Sequence, residues 1–319
     1  MADYLFRGVA ILPLIASLAA CGGGGESGGG SPPVIVTPLP TPTPTPTPTP
    51  SFQYGDPFAF DRELFFESPL SEVRYEEVYD DNSPRFYSFV SAVGRIDASP
   101  GAAALTWRPE KSGAVRVDTV TTSYNPDTLA SQTADGFRFI HTTADEQQTY
   151  SWGRATQLQN VAVVSQEKRQ SGFFDSGPRR AIETTQYFLA GHRTQQEDLP
   201  ISGTSSYQGV SASTRSDPII LGQDSRWYLA GPQMLSVDLT AGRVTGTWTA
   251  NNGLRFELDG VLQRDKNPRF NGTIMAVDGT FSGRFIGNLY GPQAKEVGIL
   301  FLLQSDNFAT HGFFVGARR

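Results

Sequence analysis

Few residues of this chain have the type and spacing to do chemistry, and the clearest of them is its one cysteine, Cys21. It follows Leu18-Ala19-Ala20, small and apolar residues that would let a peptidase reach the backbone and leave the thiol free for acylation. The three histidines, His141, His192 and His311, lie far apart in sequence with no obvious nucleophile beside any of them. Each reads as a packed or surface histidine, and with a single cysteine the His/Cys-rich metal sites are excluded. Ser165-Gln166-Glu167-Lys168 has the Ser-x-x-Lys spacing of an acylating serine, and Ser305-Asp306-Asn307 is a possible second motif. The Lys-Thr-Gly that should complete the set is missing, since no Lys occurs beyond Lys295. Ser-x-x-Lys also needs a helix start, whereas Val161 to Lys168 reads as a strand. Glu76-Glu77 and Asp80-Asp81 lack the glycine placement of a calcium loop and read as solvated carboxylates. In Ser171 to Gly177 the adjacent Phe173 and Phe174 cannot both face one core from a strand, so they are the candidate ligand contacts, with half-buried packing under the loop as the favoured alternative. The expectation is a non-enzymatic protein with no metal and no cofactor.

Met1 to Ala20 has the layout of an export signal: a lone cationic Arg7, the apolar run Val9 to Ala16, then the small residues before Cys21. Leu18-Ala19-Ala20-Cys21 resembles the lipobox of bacterial lipoproteins, and Gly22 stands where an Asp would direct retention in the inner membrane. The resemblance implies a chain anchored in the outer membrane through lipid on Cys21. Residues 21–50 are a tether. Gly22 to Ser31 is nearly all Gly and Ser, and Pro32 to Pro50 ends in alternating Thr-Pro, which favours polyproline II. At about 3.1 Å per residue the proline part reaches on the order of 60 Å. The net charge of −6 gives no cationic excess for nucleic acid.

From residue 51 onward the pattern is period-two alternation broken by Gly, Pro, Asn and Asp, which predicts an all-β fold. Thr128 to Asp135 is the nearest approach to a helix, and it is short. In the N-terminal half, strands are expected at Ala114 to Thr122, Gly136 to Thr142 and Val161 to Gln166. In the C-terminal half, Thr204 to Tyr207 opens a series. Leu235/Val237/Leu239, Val244/Gly246/Trp248, Leu254/Phe256/Leu258, Phe270/Gly272/Ile274, Phe281/Gly283/Phe285, Val297/Ile299/Phe301/Leu303 and Gly312/Phe314/Gly316 follow as one-face sets. About eight consecutive antiparallel strands close most simply as an up-and-down barrel, with a two-sheet sandwich as the alternative. Glycines beside phenylalanines on one face suit a tightly curved wall. Several of the strands are too short for a membrane-spanning barrel, and a lipid anchor already argues against one.

Two stretches carry a resemblance. Tyr187 to Gly191 with Leu199 to Gly209, including Gly203, Tyr207 and Gly209, resembles the opening of the barrel domain of transferrin-binding protein B and its relatives. Phe281 to Gly298, with Gly287, Tyr290-Gly291-Pro292, Ala294, Glu296 and Gly298, is similar to that barrel's most characteristic segment; Ile299 stands where the family usually has a second Gly. The resemblance implies a β-rich handle-like domain at 51–184 followed by an eight-stranded antiparallel barrel at 185–319, on a surface lipoprotein. It also implies a binding protein or co-receptor for an extracellular protein or iron-bearing ligand, working with a TonB-dependent transporter. Relatives with transferrin receptors carry two handle–barrel lobes, and this chain has one. The alternative reading is a structural or adhesive surface lipoprotein with no uptake role.

Cys21→Ala should therefore leave an unprocessed precursor that takes up no label when cells are fed a clickable palmitate analogue; equal labelling of mutant and wild type would remove the lipoprotein reading.

Overall fold

The computed structural model describes residues 52–80, 83–99, 101–155, 157–173, 179–214, 229–265, 268–305 and 308–319. All of them lie in one compact unit, Thr49–Arg319. The expected signal, Cys21 with Leu18, Ala19 and Ala20, the tether, Phe174, and Asp306-Asn307 fall outside the described residues.

The N-terminal half is two sheets. One takes β1 (Leu64–Ser68), β4 (Ala103–Arg108), β5 (Ser112–Val117) and β6 (Val120–Tyr124), in the order β1-β4-β5-β6. The other takes β2 (Leu70–Asp80), β3 (Ser83–Asp97), β7 (Leu129–Thr133), β8 (Gly136–Thr142), β9 (Glu146–Gly153), β10 (Val161–Phe173) and β11 (Arg179–Gly191), in the order β3-β2-β11-β10-β9-β8-β7. They pack around an aromatic core in which Trp107 stacks on Phe137 at 4.1 Å between ring centroids and Tyr124 on Tyr150 at 4.6 Å. This half is called the handle. The expected strand Ala114 to Thr122 is a hairpin instead: β5 and β6 meet at Asp118, whose φ of +52° reverses the chain. Asp tolerates that left-handed conformation, and strand periodicity does not reveal it.

The C-terminal half is a closed antiparallel barrel of β12 (Thr204–Ser213), β13 (Ala230–Asp238), β14 (Arg243–Thr249), β15 (Arg255–Gln263), β16 (Arg269–Ala276), β17 (Ser282–Tyr290), β18 (Glu296–Ser305) and β19 (Phe308–Arg318). Tyr207↔Arg318 through Ser213↔Gly312 closes it. The expected boundary after residue 184 falls inside β11, which pairs with β10 from Val161↔Gly191 and with β2 from Leu70↔Phe188. The stretch Tyr187 to Gly191 is therefore a handle strand, and the barrel begins at Thr204. Alternation marks a strand but not the sheet it joins, so its partners settle the boundary.

Along β15 every second residue is buried: Phe256, Leu258, Gly260 and Leu262 face inward, and Arg255, Glu257 and Asp259 face water. An apolar interior with a polar wall is the inverse of a transmembrane barrel. Glycine sits where the interior is most crowded. Phe285 pairs across the ladder with Gly272, and a Cβ on either Gly272 or Gly260 would come 2.7 Å from its ring. Phe301 lies over its partner Gly312 in the same way. The rings fill the space that the glycines leave, so wall curvature and core packing are one arrangement.

Gly272→Val should cost about 2–3 kcal/mol of unfolding free energy through overpacking against Phe285. Urea titration checks it; a loss under about 0.5 kcal/mol, the range of a neutral surface change, would show that the wall has room.

Candidate ligand-binding end

The barrel and handle share a long seam, and its order fixes which end of the unit is which. At the proximal end, where the chain enters the described fold, Phe52 packs on Tyr54 and His192, and the Tyr54 hydroxyl accepts a hydrogen bond from Gln195 N at 3.0 Å. Burial, and then the charge of Arg62, lowers the pKa of His192. The stretch after β11 is pinned to the barrel by an Arg193–Tyr290 bridge, by Thr194 N donating to Leu289 O, and by Thr194 Oγ1 donating to Gly291 O.

The residues singled out by resemblance gather at this joint. The carboxylate of Glu296, 4 % exposed, accepts hydrogen bonds from the backbone N–H groups of Gln159, Asn160 and Val161 and from Asn160 Nδ2, at 2.7 to 3.0 Å. One barrel side chain thus satisfies three consecutive handle amides that lead into β10. Gly291, at φ +70°, leaves the space that the Asn160 side chain takes, and Gly298 lies against Leu189. Tyr207 donates from its hydroxyl to Ala294 O at 2.8 Å, and Pro292 and Ala294 belong to the short 3-10 turn that carries it. Tyr290 is buried. Gly287 faces the Phe270 ring, and Gly209 abuts the backbone of Val315. Gly203, at φ +94°, makes the turn into β12 and accepts from Leu239 N. These contacts are architectural: those of Glu296, Gly291 and Gly298 join handle to barrel, and the others hold the barrel itself.

Farther along the seam, β17 to β19 present apolar side chains outward as well as inward, and the handle covers them. Leu300, Ile286 and Val315 pack with Val161 and Leu189, and Leu302 with Val73 and Ala309. Tyr75 donates to Ala309 O at 2.7 Å. Beyond Tyr75, β2 continues to Asp80, about 16 Å more at roughly 3.3 Å per residue. Strands β10 and β11 run out beside it, so the handle overhangs the barrel rim.

The overhang is polar on both faces. On one, Arg180 pairs with Glu76 at 2.9 Å and Lys168 with Glu146 at 3.0 Å. On the other, burial and then the charge of Glu167 raise the pKa of Glu183. At this end the barrel exposes Met275 and Val277, and its outer wall exposes Val210 and Met234. The C-terminal ends of β2, β10, β12, β14, β16 and β18 all lie at this end, opposite the entry at Phe52.

Ser165 and Lys168 are three residues apart on β10, so they project from opposite faces of the sheet and cannot act together. Phe173 ends that strand at the overhang, and the sequence stretch holding it is the one expected to contact ligand. His141 is exposed on β8 and His311 fully buried on β19, far from each other in the sheets. Among the described residues no group of three or more His, Cys, Asp or Glu side chains could hold a metal ion. No helix among them is long and apolar enough to cross a membrane. Sequence reasoning missed the Glu296 clasp and the seam around Ser71 and His311, because both join residues more than a hundred positions apart and leave no local pattern.

No family model and no curated protein matches the chain. Among solved structures it is similar to transferrin binding protein B of Haemophilus parasuis, with 11% identity over 81% of this chain and 76% of that one and a TM-score of 0.40. It is also similar to HpuA of Kingella denitrificans in complex with human haemoglobin, with 14% identity over 81% and 88% and a TM-score of 0.37. A third is the N-lobe domain of lactoferrin binding protein B of Moraxella bovis, with 13% identity over 78% and 99% and a TM-score of 0.38. At these values the likeness assigns neither a family nor a ligand.

Glu296→Gln puts an amide donor among four N–H donors and should destabilise the joint by about 2–3 kcal/mol. Faster amide exchange at Gln159 to Val161 and a lowered Tm check it; unchanged exchange would mean the clasp is dispensable.

Proposed function

We propose that the chain is a non-enzymatic outer-membrane surface lipoprotein that captures an extracellular protein or iron-bearing ligand at its distal end, as a receptor or co-receptor passing cargo to a TonB-dependent transporter. The observation that supports this reading is the opposition of the two ends. The chain enters the fold at Phe52, at the joint, while the overhang and the rim connections lie at the other end. A tether fixed in the membrane would hold the joint toward the lipid and the rim toward the medium.

The sequence that links β12 to β13 suits recognition. Three of the four tryptophans, Trp107, Trp152 and Trp248, are core residues. The fourth, Trp227, lies with Tyr228 and Pro218-Ile219-Ile220-Leu221 in the connection from β12 to β13, outside the described residues. Trp and Tyr supply much of the binding energy in many protein interfaces. The barrel interior is filled by its own side chains, so a ligand has the rim and the overhang to meet rather than a lumen.

Replacing residues 215–228 by a Gly/Ser linker should weaken capture of the dominant partner from host serum or culture fluid by tenfold or more (about 1.4 kcal/mol). Surface display, read by protease access on intact cells, should be unchanged. Equal capture would move the site off the rim. A chain that protease reaches only after outer-membrane permeabilisation would end the receptor reading.

A further inference from the structure

His311 is a fully buried histidine in the seam that the architecture above does not require to be a histidine. Its Nδ1 lies 3.0 Å from Ser71 Oγ of β2, and that hydroxyl also reaches Phe301 O at 3.2 Å. A hydroxyl has one proton to give. Both contacts are made at once when Nδ1–H donates to Ser71 Oγ and Ser71 Oγ–H donates to Phe301 O. The other ring nitrogen, Nε2, is buried and has no partner among the described residues. In the neutral ring it is a bare acceptor, whereas a second proton would make it a charged donor facing no acceptor.

We propose that the handle–barrel seam is an acid-sensitive joint, held closed by neutral His311 and loosened when that ring takes a second proton. The groups around the ring support this. From β11, Tyr187 packs on it at 4.8 Å between centroids, and from β2 come Ser71 and, farther along, Tyr75. From the barrel come its ladder partner Leu302 and, beside it, Thr310 and Thr214. Tyr187 and Tyr75 are themselves held neutral, burial being the largest cause in each. The carboxylates of Glu167 and Glu183 act on Tyr187 rather than on the ring. From β3 come Ala92, Gly94 and Ile96, none of them charged, so among the described residues nothing adjacent offsets a charge on His311, and burial lowers its pKa from 6.5 to about 3, with the Ser71 contact opposing.

The sign follows from that depression. The closed seam binds this proton less readily than the open one, so its stabilisation is complete above pH 6.5 and is lost as pH falls toward 3. Between pH 7.5 and 5, seam opening should rise about 30-fold. The seam sets the overhang against the rim, so a ligand touching both would be released with it.

Two measurements on the full chain test this. An NMR titration of the imidazole should show His311 unprotonated at pH 5; a ring that titrates near 6.5 overturns the proposal without any variant. Amide exchange at Ser71 to Tyr75 and Leu300 to Leu302, corrected for intrinsic rate, should give the 30-fold rise in wild type and a profile flatter by that factor in His311→Leu. The same pH dependence in both proteins would assign acid sensitivity to other groups and overturn it.

Discussion

The structure depends on the outer surface of β18. A barrel hides one face of each strand, but Glu296 to Leu303 is buried at every position, because Leu300 and Leu302 point outward and are as apolar as Val297, Ile299, Phe301 and Leu303, which point inward. Leaving such a wall in water would forgo about 1.5–3 kcal/mol for each large side chain. The handle exists, in physical terms, to cover it: Val73 and Leu189 lie on that wall, and Gly94 lets β3 approach Leu302 closely.

Covering an apolar wall fixes contact but not register, since apolar packing is non-directional. Register comes from the few directional groups at the seam. Glu296 reads three consecutive backbone amides, Tyr75 reaches a single carbonyl, and Ser71 bridges Phe301 and His311. Each is satisfied in one placement of the handle and unsatisfied in a shifted one. That division of labour explains why the length of the overhang is defined, and with it which residues stand beyond the barrel rim.

Rigidity near the joint and polarity in the overhang suit the presenting role proposed for the chain. The joint is dense in aromatic rings and close backbone contacts, whereas the overhang is held by cross-strand ladders and partly exposed ion pairs such as Arg180–Glu76. Exposed ion pairs contribute little stability, about 0–1 kcal/mol each, so the cross-strand ladders carry the overhang.

The sequence by itself determined what depends on local alternation and local chemistry. The strand periodicity of Leu235 to Gly316, the glycine–phenylalanine faces and the closed barrel were legible because each inward residue declares itself every second position. The expected export signal and Pro-rich tether rest on the same kind of local reading. Only the tertiary structure decided which sheet β11 joins and that Ala114 to Thr122 turns back at Asp118. It alone brought Glu296 to Asn160 and His311 to Ser71, across 136 and 240 positions. Those pairings come from docking one half of the chain on the other, and a buried carboxylate or imidazole carries no mark of its partner until the surfaces meet.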